Sequence, residues 1–154
     1  MNKIVKIGVL KIGCLGTLPL FEFLLDERAD RVDIDVRVIG SGAKLGPNQC
    51  REAAELMISQ KPDLVVFVSP AQTTPGPTEA RVMLKTSAIP TIVVSDSPTK
   101  KLVKELEEAA QGYIIVEADS MIGARREFLD PTEMAVYNSD TVSYTHLTLP
   151  TNRE

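Results

Sequence analysis

The sequence predicts an α/β fold in which an open parallel sheet of about five strands carries helices on both faces. Short β-branched runs recur five times, and each is followed by a stretch whose apolar residues return at helical spacing. Strand and helix alternating in this way require parallel strands joined by right-handed crossovers. The connections are also unequal. Those from helix to strand are plain, whereas those from strand to helix gather glycine, serine and threonine at the carboxyl ends of the strands, where open α/β sheets bind ligands.

The first strand, Lys3 to Leu10, is a nearly continuous run of Ile4, Val5, Ile7, Val9 and Leu10, as expected for a strand buried on both faces. After the turn Lys11-Ile12-Gly13-Cys14-Leu15-Gly16-Thr17, the residues Leu18, Phe21, Leu24 and Leu25 mark a helix with Glu22, Asp26, Glu27 and Arg28 opposite them. The second strand, Ile34 to Ile39, alternates with Asp35 and Arg37, which suits a sheet edge. Pro47 opens a helix to about Gln60. The third strand, Leu64 to Val68, is wholly apolar and therefore central. A proline-rich loop then leads to a helix from about Thr78 to Ser87. The fourth strand, Thr91 to Val94, feeds a helix from about Lys100 to Ala110, and the fifth is Tyr113 to Val116.

With 154 residues, 44% hydrophobic and 25% charged, one compact domain is expected, here residues 1–140. A net charge of −4 argues against a nucleic-acid partner, and no apolar run is long enough to cross a bilayer, so a cytoplasmic protein is expected. The segment 141–154 breaks in composition from the rest. Ser143 to His146 back-translates into a transposon-end sequencing adapter, so this tail is set aside as non-native. It holds His146, the chain's one histidine, leaving Cys14 without an imidazole base and unsuited to act as a nucleophile. Cys50 falls with Ala53, Ala54 and Met57 on a helix face and reads as core. The spacing of acids and cysteines shows no metal site.

The rim of loops favours an anion. Gly13, Cys14, Gly16 and Thr17 can present backbone amides and a helix start to a phosphate. The pattern falls short of a dinucleotide fingerprint, because Lys11 stands where the first glycine belongs. Gly40, Ser41, Gly42 and Lys44 repeat the theme after the second strand, where a nicotinamide site would want an acid. Alone, Lys44 reads as a solvated lysine; beside a second glycine loop it reads as an anion contact. The third loop offers the hydroxyls of Ser69, Thr73 and Thr74 on a proline-stiffened wall. The fifth connection, Ala118 to Ala135, holds Gly123, Arg125, Arg126 and Glu127, and ends at a helix start with Asp130 as N-cap, Pro131 at the first helical position and Glu133 at the third.

Lys11 to Thr17, Leu25 to Arg31, Val38 to Lys44, Pro75-Gly76-Pro77 and above all Met121 to Ala135 resemble the coenzyme F420-dependent methylenetetrahydromethanopterin dehydrogenases, over essentially Met1 to Asp140. The resemblance implies a Rossmann-like α/β part followed by a helical part that is missing here, its first helix beginning near 130–140. It also implies reversible hydride transfer between the deazaflavin F420 and the methenyl or methylene carbon of tetrahydromethanopterin, in the one-carbon metabolism of methanogenesis. Positioning would carry such a transfer, with no catalytic acid, base or metal. Gly13, Cys14, Gly16, Thr17, Gly40, Ser41, Gly42, Lys44 and Ser69 would contact F420; Arg125, Arg126, Glu127 and Asp130 would face the pterin or brace the helical part. A homo-oligomer is implied as well. Cys14 and Leu15 stand where the family commonly has Asn-Ile, and Thr73-Thr74 where it is richer in alanine. The alternatives are a coenzyme-binding or assembly fragment without turnover and a nicotinamide-dependent dehydrogenase.

Overall fold

A computed structural model of the chain describes residues 3–13, 24–26 and 30–116. In order, its elements are β1 (Val5–Lys11), β2 (Ile34–Gly40), α1 (Pro47–Ser59), β3 (Leu64–Val68), α2 (Pro75–Thr86), β4 (Thr91–Asp96), a 3₁₀ turn (Ser97–Leu102), α3 (Val103–Glu108) and β5 (Gly112–Val116). The five strands form one sheet in the order β2-β1-β3-β4-β5, with every pair parallel. The expected open parallel sheet is therefore present, with apolar β3 at its centre and alternating β2 at its edge.

Register explains how the core divides. Leu10 lies beside Ile39 and Phe67, and Phe67 beside Val93, so these side chains share one face. That face meets Cys50, Ala53, Ala54 and Met57 of α1, Ala80 and Leu84 of α2, and Leu106 of α3 in a single buried cluster. Val9, Val68 and Val94 form a second cluster on the opposite face. α1, α2 and α3 thus all contribute to the first face. The helix expected from Leu18 lies outside the described residues apart from 24–26, which are helical with Leu24 79% exposed. The fifth connection, the helix start at Asp130 and the tail also lie outside them.

Two helix starts differ from expectation. α2 begins at Pro75, three residues before Thr78, because a proline in the first helical turn gives up an N–H that would have no partner there. The fourth crossover tightens first into the 3₁₀ turn, and its α-helical part is only Val103–Glu108. Three helices end on a left-handed residue that is not glycine: Lys61, Ala88 and Ala110, with φ of 51°, 54° and 54°.

Close approach between α1 and α2 depends on Gly76. A Cβ placed there would stand 2.2 Å from the Leu45 carbonyl oxygen and 2.7 Å from Cys50 Sγ. At Gly8 the obstacle is instead Met57 Sδ, at 2.3 Å, on a side chain with rotatable bonds. Gly76→Ala should therefore lower unfolding free energy by about 2 to 3 kcal/mol. Gly8→Ala should cost clearly less. Equilibrium urea denaturation of the two variants checks the order.

Candidate functional site

The chain runs outward from β1 to β2, then back across β1 to β3. The loops leaving β1 and β3 consequently diverge and open a crevice at the carboxyl ends of the strands, the ligand position in sheets of this order. Gly13, Gly40, Ser41, Gly42, Lys44 and Ser69 all lie at this end, each at or just beyond the last residue of β1, β2 or β3. Cys14, Gly16, Thr17, Arg125, Arg126, Glu127 and Asp130 lie outside the described residues.

The loops after β1 and β2 are joined by hydrogen bonds. The Ile12 amide donates to the Val68 carbonyl at 3.0 Å, extending β1 against β3. Gly13 then turns with φ +82°, and an added Cβ would lie 3.0 Å from Leu45 Cδ2. Its amide donates to Ser41 Oγ at 3.1 Å, while Ser41 Oγ donates to the Lys44 carbonyl at 2.6 Å. The Ser41 hydroxyl therefore accepts across the two loops and donates within its own. Gly42 has φ +66° with open space around the missing side chain. Lys44 is exposed.

The loop after β3 is held from beneath. Ala71 sits in the left-handed region at φ 52°, a strained position for a residue with a Cβ. Its amide donates to the Asp96 carboxylate at 3.3 and 3.4 Å, and its carbonyl accepts the Thr74 hydroxyl at 2.8 Å. Ser69 is 1% exposed and its hydroxyl donates to the Pro70 carbonyl. Ser69 and Thr74 thus direct their hydroxyls into the loop itself, and Thr73 is the one of the three hydroxyl residues that is exposed.

The contacts expected from the sequence omit three residues that shape this rim. Lys11 Nζ donates to the carbonyls of Gly13 at 2.9 Å and Gly42 at 2.6 Å. Arg81, 2% exposed, donates through Nη1 to the Gln72 carbonyl and to Gln72 Oε1, both at 3.2 Å, and through Nη2 to Glu105 at 2.6 Å. Gln72 is fully buried, and its Nε2 has no hydrogen-bond partner among the described residues. A signal for Arg81 existed, since it follows Ala80 and precedes Leu84 on the buried face of α2. Gln72 carried none.

Cys50 is buried against the start of α2, and burial, followed by the nearby charge of Glu79, pushes its thiol above the usual range. It is a core residue, as its helical spacing implied. A cavity of about 190 Å³ lies away from the rim, lined by Lys6, Gly8, Arg37, Met57, Gln60 and Pro62 among others. It lies beside the edge strand β2, whose Asp35 and Arg37 pair with each other at 3.0 Å. Among the described residues, no group of three metal-ligating side chains occurs, and no helix is long and apolar enough to cross a membrane.

The fold and rim together define an open parallel α/β domain whose strand order reverses at β1, the place where sheets of this kind bind ligands. A family model for methylene-5,6,7,8-tetrahydromethanopterin dehydrogenase matches residues 5–148, and the chain belongs to that family. It is 51% identical over 139 residues to the F420-dependent methylenetetrahydromethanopterin dehydrogenase of Methanothermobacter marburgensis, covering 90% of this chain and 50% of that protein. The proteins of the same name from Methanosphaera stadtmanae and Methanocaldococcus jannaschii are 52% and 47% identical, with the same coverage. A solved structure of F420 dependent methylene-tetrahydromethanopterin dehydrogenase, in complex with methylene-tetrahydromethanopterin and coenzyme F420, superposes with a TM-score of 0.82 at 42% identity. That match covers 94% of this chain and 52% of the other. The chain spans about half the length of the relatives it matches.

Removing Arg81 would leave the buried Gln72 acceptors and Glu105 without their shared donor. Arg81→Leu is expected to cost roughly 3 kcal/mol of stability and to loosen the loop after β3. Urea unfolding measures the first effect, and faster limited proteolysis within 69–74 the second.

Proposed function

We propose that this chain is the coenzyme-binding α/β part of an oxidoreductase that transfers a hydride reversibly between coenzyme F420 and the one-carbon unit of methylene- or methenyl-tetrahydromethanopterin. It works in the cytoplasm, in the one-carbon metabolism of methanogenesis, as part of a homo-oligomer. The observation that carries this reading is the superposition, at 0.82, on a protein whose complex holds both molecules.

The described residues fit a flat anionic coenzyme. Open space stands over Gly42, where a side chain would obstruct a ligand lying on the turn. Lys11 and Lys44 bring positive charge to the turns after β1 and β2, which favours a phosphate-bearing group. Leu45, 37% exposed beside Gly13, offers an apolar surface to one side of a ring. Asp96 fixes the loop after β3, so the wall facing β1 is set before a ligand arrives. When bound, the deazaflavin supplies the ring carbon that gives or accepts the hydride. The chain's part is to bind, orient and shield, and such a transfer needs no titrating side chain.

Gly13, Gly40, Ser41, Gly42, Lys44 and Ser69, with Cys14, Gly16 and Thr17, are assigned to the F420 side. Arg125, Arg126, Glu127 and Asp130 are assigned to the pterin side or to the helical part that follows in the family.

Titration of the 154-residue chain with F420, followed by its fluorescence, should give an affinity of roughly micromolar order, and NADH should not compete. NADH binding without F420 binding would overturn the assignment in favour of a nicotinamide enzyme. F420 binding with no hydride transfer to the pterin would make the chain a binding module without turnover. In a chain extended to the family's length, Arg125→Ala should weaken pterin use about tenfold and leave F420 affinity unchanged, as for loss of one charge-assisted contact.

A further inference from the structure

The lysine that ends β1 breaks the expected glycine pattern, yet it touches both glycine turns. We propose that Lys11 is a positioning residue. Its ammonium draws the Gly13 and Gly42 carbonyls inward, so that the rim meets an anionic ligand with amide hydrogens and positive charge instead of carbonyl oxygens. The identity of that ligand rests on the coenzyme reading above; the clamp itself does not.

The geometry is specific. Lys11 Nζ lies 2.9 Å from the Gly13 oxygen and 2.6 Å from the Gly42 oxygen, which joins residues 31 positions apart in sequence. These are charge-assisted bonds, stronger than neutral ones. The lysine reaches Gly42 by passing over Gly40, where a Cβ would stand 2.7 Å from Lys11 Cε. Gly40 is therefore small to make room for the lysine stem. The main chain adds a parallel tie, since the Ser41 amide donates to the Lys11 carbonyl at 3.0 Å.

Orientation follows from the planar peptide. The described bonds include no cis peptides, so C=O and N–H point in opposite directions across the Gly42-Ala43 bond. With the Gly42 oxygen turned to Lys11, the N–H of exposed Ala43 is turned away from it. A carbonyl facing an incoming phosphate or carboxylate would repel it; an N–H attracts it. Lys11 selects the second arrangement.

The test compares the wild-type chain with Lys11→Met, Lys11→Arg and Gly40→Ala, using amide hydrogen exchange and F420 titration over a range of ionic strength. In Lys11→Met, the amides of Gly13, Ser41 and Lys44 should exchange at least about tenfold faster, and F420 should bind about tenfold to a hundredfold more weakly. The salt dependence of binding should become shallower, because one positive charge near the turns has gone. Arginine should restore most of the affinity. Gly40→Ala should reproduce part of both effects by displacing the lysine stem, and should add nothing to Lys11→Met. It also carries the test if Lys11→Met fails to fold. Unchanged exchange and affinity in Lys11→Met would overturn the proposal. So would weaker binding with an unchanged salt slope and no rescue by arginine, the pattern of a purely structural tie. If the wild-type chain binds no F420, the coenzyme reading fails and exchange alone decides the clamp; if Lys11→Met binds like wild type, the clamp fails and the coenzyme reading stands.

Discussion

Parallel pairing of β1 with both β2 and β3 obliges three consecutive loops to leave the sheet at the same end, and the reversal of strand order around β1 obliges two of them to part. A crevice results from topology alone, before any side chain is chosen. The side chains then serve two purposes. Val9, Leu10, Phe67 and Val93, fully buried on the two faces, hold the strands in register, since a slip by one residue would turn every apolar side chain to the wrong face. The residues just past the strand ends hold the loops.

Several of those loop ties join separate elements of the fold. Lys11 bonds to Gly42, Gly13 to Ser41, Ala71 to Asp96, and Gln72 to Arg81, which is in turn paired with Glu105. A buried guanidinium is costly unless paired, so Arg81 fixes the loop after β3, α2 and α3 relative to one another. The Ala71 backbone can remain in its left-handed conformation because Asp96 and Thr74 hold it on either side. A wall set in this way loses little entropy on meeting a ligand, which is what a reaction governed by positioning requires.

The strands were legible because burial writes itself into composition: the unbroken run of β3 marked a centre and the Asp35 and Arg37 alternation of β2 marked an edge. The helix starts were less so. Pro75 and Pro77 look like loop residues until one asks whether their missing N–H groups would have had partners. The location of the rim was readable from its glycines, but the work of individual residues was not. Lys11 reads as a failed motif because its partner is remote, and Ser69 and Ser41 read as ligand hydroxyls although each has an internal acceptor. Hydrogen bonds across the sheet's end leave no periodic trace in a single sequence. The family resemblance carried by Met121 to Ala135 identified what periodicity could not, and the family match bears it out.

The central claim is that the carboxyl end of the sheet, and not the cavity beside Gly8, receives the coenzyme. The most direct measurement is a map of backbone amide chemical-shift changes in the isotope-labelled chain as F420 is added. The account predicts that the largest changes fall on Lys11, Gly13, Ser41 to Leu45, and Ala71 to Thr73. Changes concentrated on Lys6, Gly8, Arg37, Met57 and Gln60, with the rim unmoved, would contradict it.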